Sequence, residues 1–203
     1  MKILLTGFEP FGGDTTNPSA QVVEYLAQQS LMGCEIAVAI LPVDRWRGPA
    51  AALSAIEMHR PDVVLSLGQA TGRSAISIER VAVNLMDYRI ADNVGHVAAD
   101  EPIVADGPAA YFATVPVREM LAAVHQAGVP AELSLSAGTY LCNQVLYAVL
   151  HHLEQTGRRA GFIHLPMLPE QAAAQSRPTP SMGLETLLSG VQAAVSAVVK
   201  SAG

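Results

Sequence analysis

Charged side chains are scarce in this sequence, and the basic ones form no cluster. Only 15% of the 203 residues are charged, and 12 Lys and Arg stand against 18 Asp and Glu, which leaves a formal net charge of −6. A protein that binds nucleic acid through its phosphates needs a concentrated basic surface. The composition therefore argues against a nucleic-acid-binding protein, and we expect no nucleic-acid partner.

Cysteines and long hydrophobic runs are also few. The two cysteines, Cys34 and Cys142, cannot build a disulfide framework, and they lack the C-x-x-C and Cys/His spacings of zinc sites. The apolar runs fall short of the ~18 residues that a membrane-spanning helix needs, and the first residues do not resemble a signal peptide. We therefore predict no metal site, no membrane association and a reducing, cytoplasmic location.

Hydrophobic residues, by contrast, make up half of the chain, enough for one domain with a large core over residues 1–203. Strand-like runs alternate with helical patterns, which predicts a mainly parallel sheet between two helical layers. A run at 76–92 alternates in strand fashion without a preceding helix. We therefore predict a three-layer α/β/α sandwich with a mainly parallel, partly mixed sheet. We further expect the strand at 34–43 to be buried on both faces and residues 170–180 to form a loop.

Cys142 lies where chemistry is expected in such a fold. Ligands of open α/β sheets gather outside the carboxyl ends of the strands, here the loops 7–18, 68–73, 136–142 and 164–169. Cys142 falls in the first turn of a predicted helix, for which Thr139 is a plausible N-cap. That position favours the thiolate, which is the nucleophile. The alternative is a small buried hydrophobic residue, as we expect for Cys34.

Two further residues could complete an acyl-transfer site. His164 ends the apolar strand GFIHLP, and Glu79 lies in the run ISIERVAVN. A thiol needs a base, which histidine provides near neutral pH, and a carboxylate can fix the histidine tautomer. The alternatives are a core histidine bonded to backbone and a surface ion pair of Glu79 with Arg80.

The loop TGFEPFGG places Phe8 and Phe11 at the end of the first strand. Phenylalanine in a Gly- and Pro-rich loop exposes apolar area unless it covers something. The pair could wall an apolar pocket for a small ring, or it could plug the end of the sheet. The loop lacks the phosphate-binding pattern, and Glu9 would repel a phosphate.

Together these segments resemble the pyroglutamyl peptidase I family over essentially the whole chain. The resemblance rests on TGFEPFGG, NPS (17–19), GQATGRSAISIERVAVN (68–84), DYRIADN (87–93), SAGTYLCNQVLY (136–147) and FIHLP (162–166). It implies a cytosolic cysteine peptidase with an α/β/α sandwich fold, usually a homotetramer, that removes an N-terminal pyroglutamyl residue from peptides. It also implies that no metal or other cofactor is required.

The resemblance assigns a role to each matching residue. Cys142 would be the nucleophile, His164 the general base and acid, and Glu79 the partner of the histidine. Arg89 would lie near the oxyanion position together with backbone N–H groups of the Cys142 turn. Phe8 and Phe11 would sandwich the lactam ring, with Asn17 and Gln69 as polar supports beside the pocket.

Two positions depart from the family pattern. Thr71 stands where the family commonly has glycine, and Tyr140 stands where phenylalanine is frequent. Neither change removes a catalytic group, so both bear on substrate detail; Tyr140 adds a hydroxyl to a pocket wall. The alternatives at this stage are a nucleoside-phosphorylase-like enzyme and a non-catalytic small-ligand-binding protein, since both are compatible with the same fold.

Overall fold

The computed structural model describes residues 1–29 and 33–201. The predicted domain span of 1–203 also includes residues 30–32 and 202–203, which lie outside the described residues. In chain order the described elements are β1 (Lys2–Phe8), α1 (Pro18–Ala27), β2 (Glu35–Leu41), α2 (Arg47–His59), β3 (Val63–Gln69), β4 (Ile76–Glu79), β5 (Val81–Val83), β6 (Ala110–Phe112), α3 (Val117–Gln126), β7 (Ala131–Ser134), α4 (Leu141–Leu153), β8 (Arg159–Leu165), α5 (Pro169–Ala173) and α6 (Leu184–Lys200).

Within these residues six strands form the central sheet, in the order β2-β1-β3-β8-β4-β7. Strands β2, β1, β3 and β8 are mutually parallel, whereas β4 runs antiparallel to β8 and carries β7 parallel to itself. A short turn, and not a crossover helix, joins β3 to β4, so β4 enters the sheet in the opposite direction. Strands β5 and β6 form a separate antiparallel pair. The predicted mixed sandwich is confirmed.

Helices cover both faces of the sheet. One hydrophobic cluster joins the sheet to α1, α3 and α6, and a second joins it to α2 and α4. Because side chains alternate along a strand, β1, β2, β3 and β8 each contribute to both clusters, whereas β4 and β7 contribute only to the first. Ile163 of β8, for example, belongs to the first cluster and Phe162 to the second.

Two expectations for the fold were wrong. Strand β2 is an edge strand paired only with β1, so its side chains are mostly half-buried and Ile40 is exposed. Residues 170–180 are not all loop, because the short helix α5 begins at Pro169, where proline is favoured in the first turn. In the described parts of the chain, no helix is both long and apolar enough to cross a bilayer.

Candidate active site

The loops at the carboxyl ends of β1, β3 and β8 meet the start of α4 around a cavity of about 680 Å³. Every site residue predicted from the sequence lines this cavity except Glu79, which lies behind His164. Those that line it are Phe8, Phe11, Asn17, Gln69, Arg89, Tyr140, Cys142 and His164. The fold thus brings together segments that are far apart in the sequence.

His164 and Glu79 are neighbours because of the strand register. Ser77 of β4 pairs with His164 of β8, so Glu79, two residues further, lies diagonally across on the same face. His164 Nδ1 lies 2.8 Å from Glu79 Oε1, and the exposed fractions of the two residues are 3% and 0%. This buried contact rules out Glu79 as half of a surface pair with Arg80. The alternation of ISIE, with Ile76 and Ile78 on the opposite face, was the signal for this placement.

The contact with Glu79 fixes how His164 presents its ring. An ionised carboxylate only accepts hydrogen bonds, so Nδ1 carries the proton and Nε2 has a lone pair. No group in the described residues bonds Nε2, and the ring lines the cavity. Burial lowers the pKa of His164, and the Glu79 carboxylate, which acts in the opposite direction, offsets this only in part. The imidazole is therefore neutral near pH 7 and able to accept a proton.

Cys142, the second residue of α4, points its thiol at the same corner of the sheet. A Cβ atom on Gly68 would lie only 2.9 Å from Cys142 Sγ and 2.8 Å from Phe162 Cζ, so only glycine fits at position 68. Gly68 of β3 pairs directly with His164 of β8. Paired residues of adjacent strands lie ~5 Å apart and direct their side chains to the same face. The thiol and the imidazole therefore share one corner of the cavity.

The thiolate expected from the helix start is not favoured at Cys142. Burial, followed by the nearby Glu79 carboxylate, raises the pKa of Cys142 to about 12, while Arg73 and the residue's own backbone N–H act in the opposite direction. The N-cap of α4 is Tyr140, not Thr139, and it gives no side-chain cap bond. The helix start still lowers the thiol pKa, but less than burial raises it.

Arg73 is a site residue that the sequence reasoning missed. Its Nη1 donates to Glu79 Oε1 at 2.7 Å, and its Nη2 donates to the carbonyl oxygen of Ser136 at 3.0 Å. Arg73 also lines the cavity. A basic residue in the short turn that leads into the strand of Glu79 was the available signal.

Arg89 lies at the rim of the cavity. Its side chain is exposed, and it has no hydrogen bond or ion pair to the rest of the described chain. The start of α4 offers other donors, since the backbone N–H groups of Leu141 and Cys142 have no backbone acceptor in the part of the chain that the structure describes, and that of Cys142 acts only on its own sulfur.

Aromatic rings form the apolar wall. Phe8 is buried against Phe162, with 6.4 Å between ring centroids, whereas Phe11 is half-buried and lies 6.3 Å from the ring of Tyr140. The Tyr140 hydroxyl donates to the carbonyl oxygen of Ala91 at 3.2 Å. The extra hydroxyl of Tyr140 therefore ties the wall to the segment that carries Arg89.

The two amides beside the cavity hold its loops in place. Asn17 caps α1 by accepting from the Ser19 N–H at 3.0 Å, and its Nδ2 donates to the carbonyl oxygen of Glu9 at 3.1 Å. Gln69 Oε1 accepts from Gln171 Nε2 at 3.0 Å. Both polar supports therefore stand at the cavity wall with much of their bonding capacity used by the protein.

Glu9 does not face the cavity. Its Oε1 accepts from the Val43 N–H at 2.9 Å and from Asn93 Nδ2 at 3.0 Å, which fastens the phenylalanine loop to its neighbours. Its charge is therefore no argument against a phosphate in the cavity. Thr71 lies on the cavity wall, with its hydroxyl 3.4 Å from Gln69 Nε2.

Comparisons with known proteins agree with this site. The model of the family described as pyroglutamyl peptidase matches residues 1–201. The pyrrolidone-carboxylate peptidase of Vibrio vulnificus (strain CMCP6) is 54% identical over 191 residues, which cover 94% of this chain and 89% of that protein. The relative of the same name from Gloeobacter violaceus is 49% identical over 95% of this chain and 94% of its own length.

Solved structures give the same result. Pyrrolidone carboxyl peptidase from Thermococcus litoralis superposes with a TM-score of 0.94 at 40% identity, covering 98% of this chain and 93% of that one. Pyroglutamyl peptidase I from Bacillus amyloliquefaciens has a TM-score of 0.93 at 36% identity, covering 98% and 97%. These matches give no support to a nucleoside-phosphorylase-like enzyme or a non-catalytic binding protein. The chain belongs to the pyroglutamyl peptidase family.

Proposed function

We propose that this protein hydrolyses the bond after an N-terminal pyroglutamyl residue of peptide substrates, with Cys142 as nucleophile. His164 acts as general base and acid, and Glu79 orients it. The observation that supports this most strongly is the shared cavity of Cys142 and His164, with Glu79 bonded to the far ring nitrogen at 2.8 Å. Membership of the pyroglutamyl peptidase family supports the choice of substrate.

The first step couples attack to proton transfer. The Cys142 thiol is protonated at neutral pH because its pKa is about 12, and His164 is neutral because burial lowers its pKa. His164 Nε2 takes the thiol proton as sulfur attacks the pyroglutamyl carbonyl carbon. The imidazolium that forms is stabilised by the Glu79 carboxylate on Nδ1.

The negative charge that develops on the carbonyl oxygen needs donors. The N–H groups of Leu141 and Cys142 at the start of α4, which have no acceptor within the helix, are suited to this task, and the helix dipole adds to their effect. One such donor is typically worth ~3 kcal/mol in the transition state. Arg89 at the rim would add a positive charge near the same oxygen.

Collapse of this intermediate releases the shortened peptide. His164 gives its proton to the leaving amine, and the pyroglutamyl group stays on Cys142 as a thioester. His164 then removes a proton from water, whose oxygen attacks the thioester carbonyl. Release of pyroglutamic acid returns the proton to the thiol and restores the starting state.

Selectivity for pyroglutamate follows from the wall of the cavity. The lactam ring is flat and uncharged, so the rings of Phe8 and Phe11 suit its two faces. An unblocked N-terminal amine would bring a positive charge into this apolar space, which is costly. A site that pairs the lactam N–H and C=O, with Asn17 and Gln69 as supports, also rejects rings that lack them.

A substrate panel tests the proposal directly. We expect a pyroglutamyl anilide to be cleaved and the prolyl and alanyl anilides to be left essentially intact. Cys142→Ser should abolish turnover while thermal unfolding stays near that of the wild type. Cys34→Ser is the matched control, because Cys34 lies just before β2 and outside the cavity lining, and it should keep full activity. Near-normal turnover by Cys142→Ser would exclude Cys142 as the nucleophile.

We also propose that residues 1–203 act as a single peptidase domain that assembles as a homotetramer in the cytoplasm. The family model covers nearly this whole span, and exposed apolar side chains such as Met58 and Phe112 would favour association. A thiol nucleophile also has to stay reduced, as it does in the cytosol. Light scattering of the purified protein and fractionation of cells test these points.

A further inference from the structure

Arg73 connects the strand that carries Glu79 to the segment that leads into Cys142. It lies in the turn after β3, and its guanidinium donates to Glu79 at the end of β4 at 2.7 Å. A second nitrogen of the same group donates at 3.0 Å to the carbonyl oxygen of Ser136, in the segment that leads into α4 and Cys142. A planar guanidinium can hold two acceptors in a fixed relation, which an ammonium group does poorly.

The carboxylate of Glu79 depends on this contact. Glu79 is fully buried, and its Oε1 accepts hydrogen bonds from both Arg73 and His164. Its Oε2 has no hydrogen-bond partner among the described residues. Arg73 is the only Lys or Arg of the described chain within 4.0 Å of this carboxylate. Burial of a carboxylate is costly unless the group is paired and hydrogen-bonded, so the contact with Arg73 stabilises Glu79 in its position beside His164.

Other charges around the site are more distant or more exposed. Cys142 lies on α4. The groups that surround it are His164 of β8, Glu79 of β4 and Arg73 in the turn after β3. The other charged groups near the site are Asp87 and Arg89 on the cavity wall, Asp14 beside Gln69, Glu132 of β7, which accepts from the Ser77 hydroxyl, and Arg80, which follows Glu79 and lies outside the cavity lining; Lys2 of β1 and Arg159 of β8 stand at the opposite ends of their strands. None of these bonds either member of the catalytic pair. Arg73 is therefore the cation best placed to act on that pair.

We propose that Arg73 is a positioning residue of the peptidase, which holds Glu79 in line with His164 while fixing the segment before Cys142. This inference rests on the proposed roles of Cys142, His164 and Glu79. Arg73 acts through Glu79 and Ser136, and the substrate need not touch it.

The position of Arg73 has consequences for both titrating groups. Its positive charge lowers the pKa of Cys142 and that of His164. Without it, the Glu79 charge would act unopposed, so imidazolium would form at higher pH and the thiol would ionise less readily. The protein would then be slower in the attack step and would lose activity earlier on acidification.

Three variants test this. Arg73→Met removes both the charge and the two guanidinium donors, whereas Arg73→Lys keeps the charge. Arg80→Met is the control, because it removes an equal charge one residue from Glu79 at a position outside the cavity lining. For Arg73→Met we expect kcat/KM for a pyroglutamyl anilide to fall on the order of 100-fold. The acid limb of its pH profile should move up by about one unit, and alkylation of Cys142 by iodoacetamide at pH 9 should slow about tenfold.

Arg73→Lys should keep the wild-type acid limb and still lose about tenfold in kcat/KM, because lysine cannot bridge two acceptors. Arg80→Met should match the wild type in all three measurements. An acid limb and an alkylation rate that do not change in Arg73→Met would overturn the proposal, and so would wild-type kcat/KM in Arg73→Lys. If Arg73→Met does not fold, Arg73→Lys decides. Alkylation needs no substrate, so an inactive wild-type protein would contradict the proposed function and not this inference.

Discussion

The two faces of the central sheet are built from the same strands but have different chemistry. The face under α1, α3 and α6 is apolar along its full length, with Leu5, Leu65, Leu67, Ile76, Ile78 and Ile163. The face toward α2 and α4 combines apolar residues such as Leu4, Val64 and Phe162 with buried polar ones, which are Thr6, Ser66, Ser77, Glu79 and His164. Each proposed catalytic residue on the sheet therefore has an apolar neighbour in sequence that points the other way.

This arrangement separates the tasks of the two faces. The alternation of a strand anchors Glu79 through Ile78 and His164 through Ile163, so a packed hydrophobic layer fixes the positions of buried polar groups. Substitutions on the polar face should therefore reduce activity with a smaller effect on stability. Substitutions on the apolar face should do the reverse.

Glu79→Gln is expected to show the largest effect on the polar face. Glutamine has the same shape but no charge, so it can present an amide that does not hold the productive His164 tautomer. We expect kcat to fall on the order of 10³-fold, by analogy with the loss of the third residue in other triads. Steady-state kinetics with a pyroglutamyl anilide measures this.

The matched control is Glu132→Gln on the neighbouring strand β7. Glu132 is exposed and accepts a hydrogen bond only from the Ser77 hydroxyl among the described groups. Its loss should leave kcat nearly unchanged. Equal losses in the two variants would mean that the negative charge at this end of the sheet matters in general, and not the bond from Glu79 to His164.

The raised pKa of Cys142 gives the next largest effect. A thiol with a pKa of about 12 is protonated at neutral pH, so its thiolate fraction rises about tenfold with each pH unit below that value. In a Cys34→Ser background, alkylation of Cys142 by iodoacetamide should therefore accelerate about 100-fold between pH 7 and pH 9. A rate that levels off between pH 6 and pH 8 would instead indicate a stable thiolate–imidazolium pair.

Phe11→Ala should have a smaller effect and should act on binding. Phe11 is half-buried and packs on Tyr140 at the cavity wall, so its loss removes apolar contact with a ring-shaped substrate. We expect KM for the pyroglutamyl anilide to rise about tenfold with kcat little changed. Phe112→Ala, which removes an exposed ring outside the cavity, is the control. If alkylation of Cys142 slows in parallel with the rise in KM, Phe11 serves packing and not substrate binding.

The sequence predicted the layers of the fold because strand and helix periodicities are local properties. It did not predict that β2 lies at the edge, since strand order depends on contacts between distant segments. The candidate site divides in the same way. Residue types and the family pattern pointed to Cys142, His164 and Glu79, but the bridge from Arg73 to Glu79 and Ser136 exists only once three segments meet.

The pKa of Cys142 shows the same limit for electrostatics. Its place in the first turn of α4 was visible in the sequence, and the backbone effect has the expected sign. The burial of the thiol against Gly68 and the nearby charge of Glu79 both depend on the tertiary structure. These outweigh the local effect, so the sequence alone gave the wrong direction for the pKa.

Ile76→Ala tests the apolar face and should have the smallest effect on catalysis. Ile76 is fully buried, and its Cδ1 atom would lie 2.5 Å from a Cβ on Gly190, so it packs directly on the backbone of α6. Truncation leaves a cavity and should lower the free energy of unfolding by about 2–5 kcal/mol, whereas Ile76→Val should cost about 1 kcal/mol. Denaturant unfolding measures the loss, and kcat/KM per folded molecule should stay close to that of the wild type. A fall in kcat/KM as large as that of Glu79→Gln would mean that the two faces do not act separately, because the apolar layer would then set the catalytic geometry as directly as the polar groups do.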